Sequence, residues 1–95
     1  MNELAIDVVK HGGKRPSEKF QPTKLNNSII SACLSARIPE GQADMIARSV
    51  YTEVEKWLEN RPEITTTDIR IIVTKSLGKH HQDAAYLYEQ DKKII

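Results

Sequence analysis

Residues 8–29, VVKHGGKRPSEKFQPTKLNNSI, most constrain the fold open to this chain. The paired glycines Gly12 and Gly13 accept positive φ and so permit a reversal of direction. Before them, residues 4–10, LAIDVVK, mix apolar and β-branched side chains and read as a strand. After them, Arg15-Pro16-Ser17 lengthens the turn. Pro16 cannot donate to a central ladder, which places the second arm at an edge. Glu18-Lys19-Phe20 returns as a short strand, and Phe20, the one phenylalanine, is its anchor in the core. Whatever packs against this ribbon must come from the rest of the chain.

From Pro22 onward the apolar period changes to three and four. Pro22 suits the first position of a helix, with Gln21 or Thr23 as its cap. That helix is predicted to run over 22–37, with Leu25, Ile29, Ala32, Cys33 and Ala36 on one face. Ile38-Pro39 ends it. A second helix is predicted from Pro39-Glu40 to about 59, with the stripe Ala43, Ile46, Ala47, Val50, Val54, Trp57 and Leu58. Asn60-Arg61-Pro62 breaks the pattern. Residues 64–67, ITTT, followed by Asp68, read as a helix start, capped by a threonine and favoured by the acid in the first turn. Ile69, Ile72, Val73 and Leu77 form its stripe and Gly78 its C-terminal cap. A last helix is predicted over 81–92, with Ala84, Ala85, Leu87 and Tyr88 for packing. The expected fold class is α+β, an N-terminal β-hairpin packed on a four-helix bundle. The 95 residues are expected to make a single domain, 1–95, with 1–3 disordered.

Charge narrows the function classes. Fourteen lysines and arginines against thirteen acids leave a net charge of +1, so direct nucleic-acid binding, which needs a clearly basic surface, is not expected. No apolar run approaches the ~20 residues of a membrane span, and the first ten residues do not read as a signal peptide. The single cysteine excludes an intrachain disulfide, and a cytoplasmic location is expected. Catalytic sets are absent. Cys33 falls on an apolar stripe and reads as packing. His80 and His81 are adjacent in the chain and lack partners at metal-ligand spacing. Tyr51 and Trp57 sit at helical spacing and read as packing rather than as a stacking platform.

The ribbon carries the remaining chemistry. Lys10, Lys14, Arg15, Lys19 and Lys24 stand against one acid, Glu18. Two readings fit these residues. One is an edge ribbon whose lysines prevent aggregation. The other is an anion site, with Lys10 and Lys24 converging near a helix N-terminus on a polyphosphate, and Glu18 accepting from an adenine amino group or a ribose hydroxyl. HGGKRPS is not a P-loop, because it lacks the GxxxxGK[ST] spacing.

VVKHGG, followed by ExFxxxKLxxSI at Glu18, Phe20, Lys24, Leu25, Ser28 and Ile29, resembles the ATP-cone domain. Thr66-Thr67-Asp68-Ile69 is similar to the start of that family's third helix, and Ala85-Tyr86 to its closing motif. The resemblance covers nearly the whole chain. The departures lie at His11-Gly12-Gly13, at the longer turn around Pro16, at Gln21 and at Tyr88, where the family usually has an arginine. The resemblance implies a noncatalytic regulatory domain that binds ATP or dATP, with Mg²⁺ accompanying the nucleotide. Lys10 and Lys24 would hold phosphates, with Val9 and His11 flanking Lys10. Glu18 and Gln21 would lie near the nucleoside, and Thr66 and Arg70 would line the far wall. Such a module would transmit nucleotide status to a catalytic partner, as in ribonucleotide reductases, to a DNA-binding partner domain, as in the repressor of their genes, or to a homo-oligomer. The alternative is a helical interaction or transcription-regulator module that has lost nucleotide binding.

Overall fold

The computed structural model describes residues 7–9, 18–59, 61 and 63–90, with side chains from Lys19 onward. Its elements are β1 (Asp7–Val9), β2 (Glu18–Lys19), α1 (Pro22–Ser35), α2 (Glu40–Leu58), β3 (Glu63–Thr65), α3 (Thr66–Gly78) and α4 (Gln82–Gln90). The four expected helices are present. β1 pairs antiparallel with β2, through Asp7 with Lys19 and Val8 with Glu18. The connection that would make this pair a hairpin, including His11, Gly12, Gly13 and Pro16, lies outside the described residues.

A third strand corrects the reading of 64–67 as helix start. β3 pairs parallel with β1 in the order β2-β1-β3, and the helix begins only at Thr66. Ile64 and Thr65 are β-branched, and β1 offers them a ladder that local sequence does not reveal. The capping chemistry is as expected but belongs to Thr65. Its Oγ1 accepts from the Asp68 N–H at 3.0 Å, and Asp68 Oδ2 accepts from the Thr65 N–H at 3.3 Å. This reciprocal pair satisfies two donors of α3.

The helical stripes become the core. Ala43, Ala47, Val50, Val54 and Leu58 of α2 are fully buried, as are Ile29, Cys33, Val73, Leu77, Ala84 and Tyr88. Trp57 and Tyr51 pack half-buried against the same cluster, and the Arg61 guanidinium covers the Trp57 ring at 4.2 Å. Burial pushes the Cys33 thiol up, as befits a packing residue rather than a nucleophile. α1 packs on α2 and α4, and α3 packs on α2 and α4, so α1 and α3 are diagonal to one another. Ser76 Oγ donates to Glu53 Oε2 at 2.8 Å and Lys79 Nζ to the same oxygen at 3.3 Å, which ties α2 to α3. Those donors, the serine first, hold the Glu53 carboxyl below the usual carboxylate range.

Three helix ends differ from the sequence reading. α1 stops at Ser35, two residues early, because Arg37 adopts φ 65. The Arg37 N–H then bonds the Leu34 carbonyl at 2.9 Å, and the Ile38 N–H bonds the Cys33 carbonyl at 3.0 Å. This pairing closes a helix through a left-handed residue, a place usually given to glycine. Arg37→Gly is therefore expected to stabilise the fold by ~1 kcal/mol, read as a higher urea midpoint. α3 lacks the expected left-handed glycine cap, since its cap is Lys79 at φ −70. α4 begins at Gln82, and His81 caps it by accepting the Ala84 N–H on Nδ1 at 3.2 Å.

One buried polar pair joins α1 to α4. Ser28 Oγ donates to the Leu25 carbonyl at 2.6 Å and lies 3.0 Å from Tyr88 Oη. A serine has one hydroxyl proton, so Tyr88 is the donor to Ser28. Burial pushes the Tyr88 phenol up to about 12, while the Arg70 charge acts in the opposite sense. Removing either partner has unequal consequences. Tyr88→Phe leaves Ser28 bonded to Leu25 and is expected to cost about 1 kcal/mol. Ser28→Ala strands the buried Tyr88 hydroxyl and is expected to cost more, about 1–3 kcal/mol in chemical denaturation.

Candidate functional site

The three-residue strand β1 is the hub of the assigned residues. Its partner β3 runs parallel, with Val9 opposite Thr65, so the last residue of β1 stands beside the entry to α3. Its other partner, β2, runs antiparallel, with Glu18 opposite Val8. The register thus places the backbone of Val9 beside the start of α3, where Thr66 is the first helical residue and Arg70 lies one turn on, and that of Glu18 on the far side of β1. Both Thr66 and Arg70 are half-buried. β2 leaves toward the Asp7 end of β1 and enters α1 through Phe20 and Gln21. The chain therefore runs toward Gln21 and Lys24 from the other end of β1, about 7 Å from Val9 along the strand. Lys10 and His11, which follow Val9 in the chain, lie outside the described residues, as do the side chains of Val9 and Glu18.

The two helix entrances differ in electrostatics. At α3 the capping box satisfies two backbone donors, and Asp68 puts a carboxylate into the first turn. At α1 Gln21 occupies the cap position without a side-chain hydrogen bond, Pro22 follows, and no acid lies in the first turn. Lys24 is exposed in that turn. The positive end of α1 is thus reinforced by a lysine, and that of α3 is offset by an aspartate. An anion approaching the sheet from the helix ends meets favourable potential at α1. The entrance to α3 instead offers the side chains of Thr66 and Arg70.

A cleft of about 350 Å³ lies beside the α1 entrance, lined by Pro22, Thr23, Asn26, Arg48, Tyr51 and Thr52. None of the assigned residues lines it, and its one cation, Arg48, is paired with Asp44 at 3.0 Å. Among the described residues no group of three His, Cys, Asp or Glu side chains could hold a metal ion. No helix of the described residues is long and apolar enough to cross a membrane.

Two site features escaped the sequence reading. One is β3, which delivers Thr66 to the end of β1. The other is the Ser28–Tyr88 bond, between residues 60 positions apart. The β-branched pair Ile64 and Thr65 was a local signal for the first.

The model of the ATP cone domain matches residues 6–93. The transcriptional repressor NrdR of Chlamydia felis is 38% identical over 77 residues, covering 81% of this chain and 48% of the repressor. The transcriptional repressor NrdR of Rippkaea orientalis is 27% identical over 84 residues, covering 88% of this chain and 44% of the repressor. The chain thus spans about half the length of these relatives.

Proposed function

The chain belongs to the ATP-cone family, and from that premise we propose that it is a noncatalytic regulatory module that binds ATP or dATP between the sheet and the entrances of α1 and α3. The observation that carries this reading is the contrast between those entrances. α1 presents an unneutralised N-terminus with Lys24 in its first turn, while α3 is closed by its own aspartate. The phosphates would lie between the α1 entrance and the Val9 end of β1, held by Lys24 from one side and by Lys10, with Val9 and His11 flanking it, from the other. The nucleoside would lie toward Glu18 and Gln21, with Thr66 and Arg70 on the α3 side. The residues present suit this division, since lysines complement phosphate charge and a carboxylate accepts from an adenine amino group or a ribose hydroxyl.

Mg²⁺ would accompany the triphosphate and be held by its oxygens, for the described residues offer no carboxylate cluster of their own. In this reading the ligand would be read rather than consumed. Binding would favour one arrangement of sheet and helices, and a partner sensitive to that arrangement would feel the nucleotide through linkage. The relatives are named transcriptional repressors, which favours a DNA-binding partner domain over a catalytic one, with self-association as a further route.

Thermal unfolding tests the module. A ligand that binds only the folded state, at 100 times its Kd, stabilises by ~2.7 kcal/mol, which raises Tm by about 10–20 °C for a domain of this size. ATP recovered intact from the same sample fits a noncatalytic role. An unchanged Tm at millimolar ATP, or conversion to ADP, contradicts the reading.

A further inference from the structure

The diagonal placement of α1 and α3 has a consequence for the proposed site. Lys24 stands on α1 and Arg70 on α3, and these helices do not pack directly on each other to any substantial extent. Their separation is set by the two helices that touch both, α2 and α4. Among the described residues the one side-chain hydrogen bond between α1 and α4 is that of Tyr88 with Ser28, at 3.0 Å. Both residues are buried, Tyr88 fully and Ser28 to 5% exposure. The chain of donors runs from the Tyr88 hydroxyl through Ser28 Oγ to the carbonyl of Leu25, the residue next to Lys24. On its other side α4 packs along α3, and the Arg70 charge acts on the Tyr88 phenol.

We infer that Tyr88 and Ser28 are positioning residues for the nucleotide site: their buried hydrogen bond anchors α4 to the first turns of α1 and so sets the span between Lys24 and Arg70. The inference rests on the nucleotide reading above. Neither residue touches the ligand; each acts through the helix it holds. A hydrogen bond suits this task because its direction and length admit one register of α4 along α1.

The test is a double-mutant cycle in ATP affinity, with Tyr88→Phe, Ser28→Ala and both together, measured by calorimetry far below each variant's Tm. Each single variant is expected to raise Kd about 3- to 10-fold, and the double variant to raise it no further than the worse single one. A purely structural role lowers Tm in all three and leaves Kd at the unsubstituted value, which overturns the inference. Multiplicative losses in the double variant also overturn it, since the two side chains would then act separately. Absence of ATP binding by the unsubstituted chain overturns the nucleotide reading and this inference with it. Binding with unchanged Kd in the variants overturns the inference alone. Tyr88→Phe keeps Ser28 satisfied and retains the ring, so the cycle has at least one well-folded arm.

Discussion

Phe20→Ala is expected to lower the folding free energy by about 3–5 kcal/mol, the loss typical of emptying a buried phenylalanine site. Phe20 is 8% exposed and belongs to the main core cluster. It follows β2 directly and precedes Gln21 and α1, so its ring seats the strand pair on the helices. Domains have ~5–15 kcal/mol of stability in total, so the loss takes from about a fifth of it up to all of it. Chemical denaturation followed by circular dichroism reads the loss. Phe20→Leu, which refills most of the volume, is expected to recover more than half of it. A loss below ~1 kcal/mol for the alanine variant would mean that the sheet is not held by this ring.

Lys24→Ala and Lys10→Ala are expected to act on the ligand and not on the fold. Lys24 is exposed and makes no ion pair among the described residues. Its removal should leave the Tm of the free domain within about 2–4 °C, as for ordinary surface substitutions. A hydrogen bond to a charged group contributes ~1.5–3 kcal/mol, so each substitution should weaken ATP binding about 10- to 150-fold. Raised ionic strength should weaken the unsubstituted protein in the same direction, since both contacts are electrostatic. Undiminished affinity in the two variants would remove these lysines from the site, whatever the domain binds.

The helices were legible in the sequence because their information is local. Ala43, Ala47, Val50, Val54 and Leu58 recur at three- and four-residue steps, and each is fully buried. Pro22 marked the start of α1 and the threonine–aspartate pair marked that of α3. β3 was missed because a three-residue strand needs a partner to exist, and the cap signal of Thr65 and Asp68 dominated that stretch. The early end of α1 was missed because Arg37 takes a left-handed conformation that its side chain does not advertise. The role of Tyr88 was read as packing, which its burial supports. Its hydrogen bond to Ser28 depends on the approach of α4 to α1 and is written in neither segment alone. For the site, the sequence reading named Gln21, Lys24, Thr66 and Arg70 from a family resemblance, and the structure places them at the entrances of α1 and α3. The threonine cap and acid of α3 were legible in the sequence, whereas the absence of a side-chain cap bond from Gln21 came only from the fold.

Titration calorimetry of ATP into the 95-residue chain tests the central claim most directly. The account predicts a saturable heat that Lys24→Ala diminishes, with dATP giving a saturable heat as well. No heat at millimolar ATP and dATP, from a chain shown to be folded by circular dichroism, would contradict it.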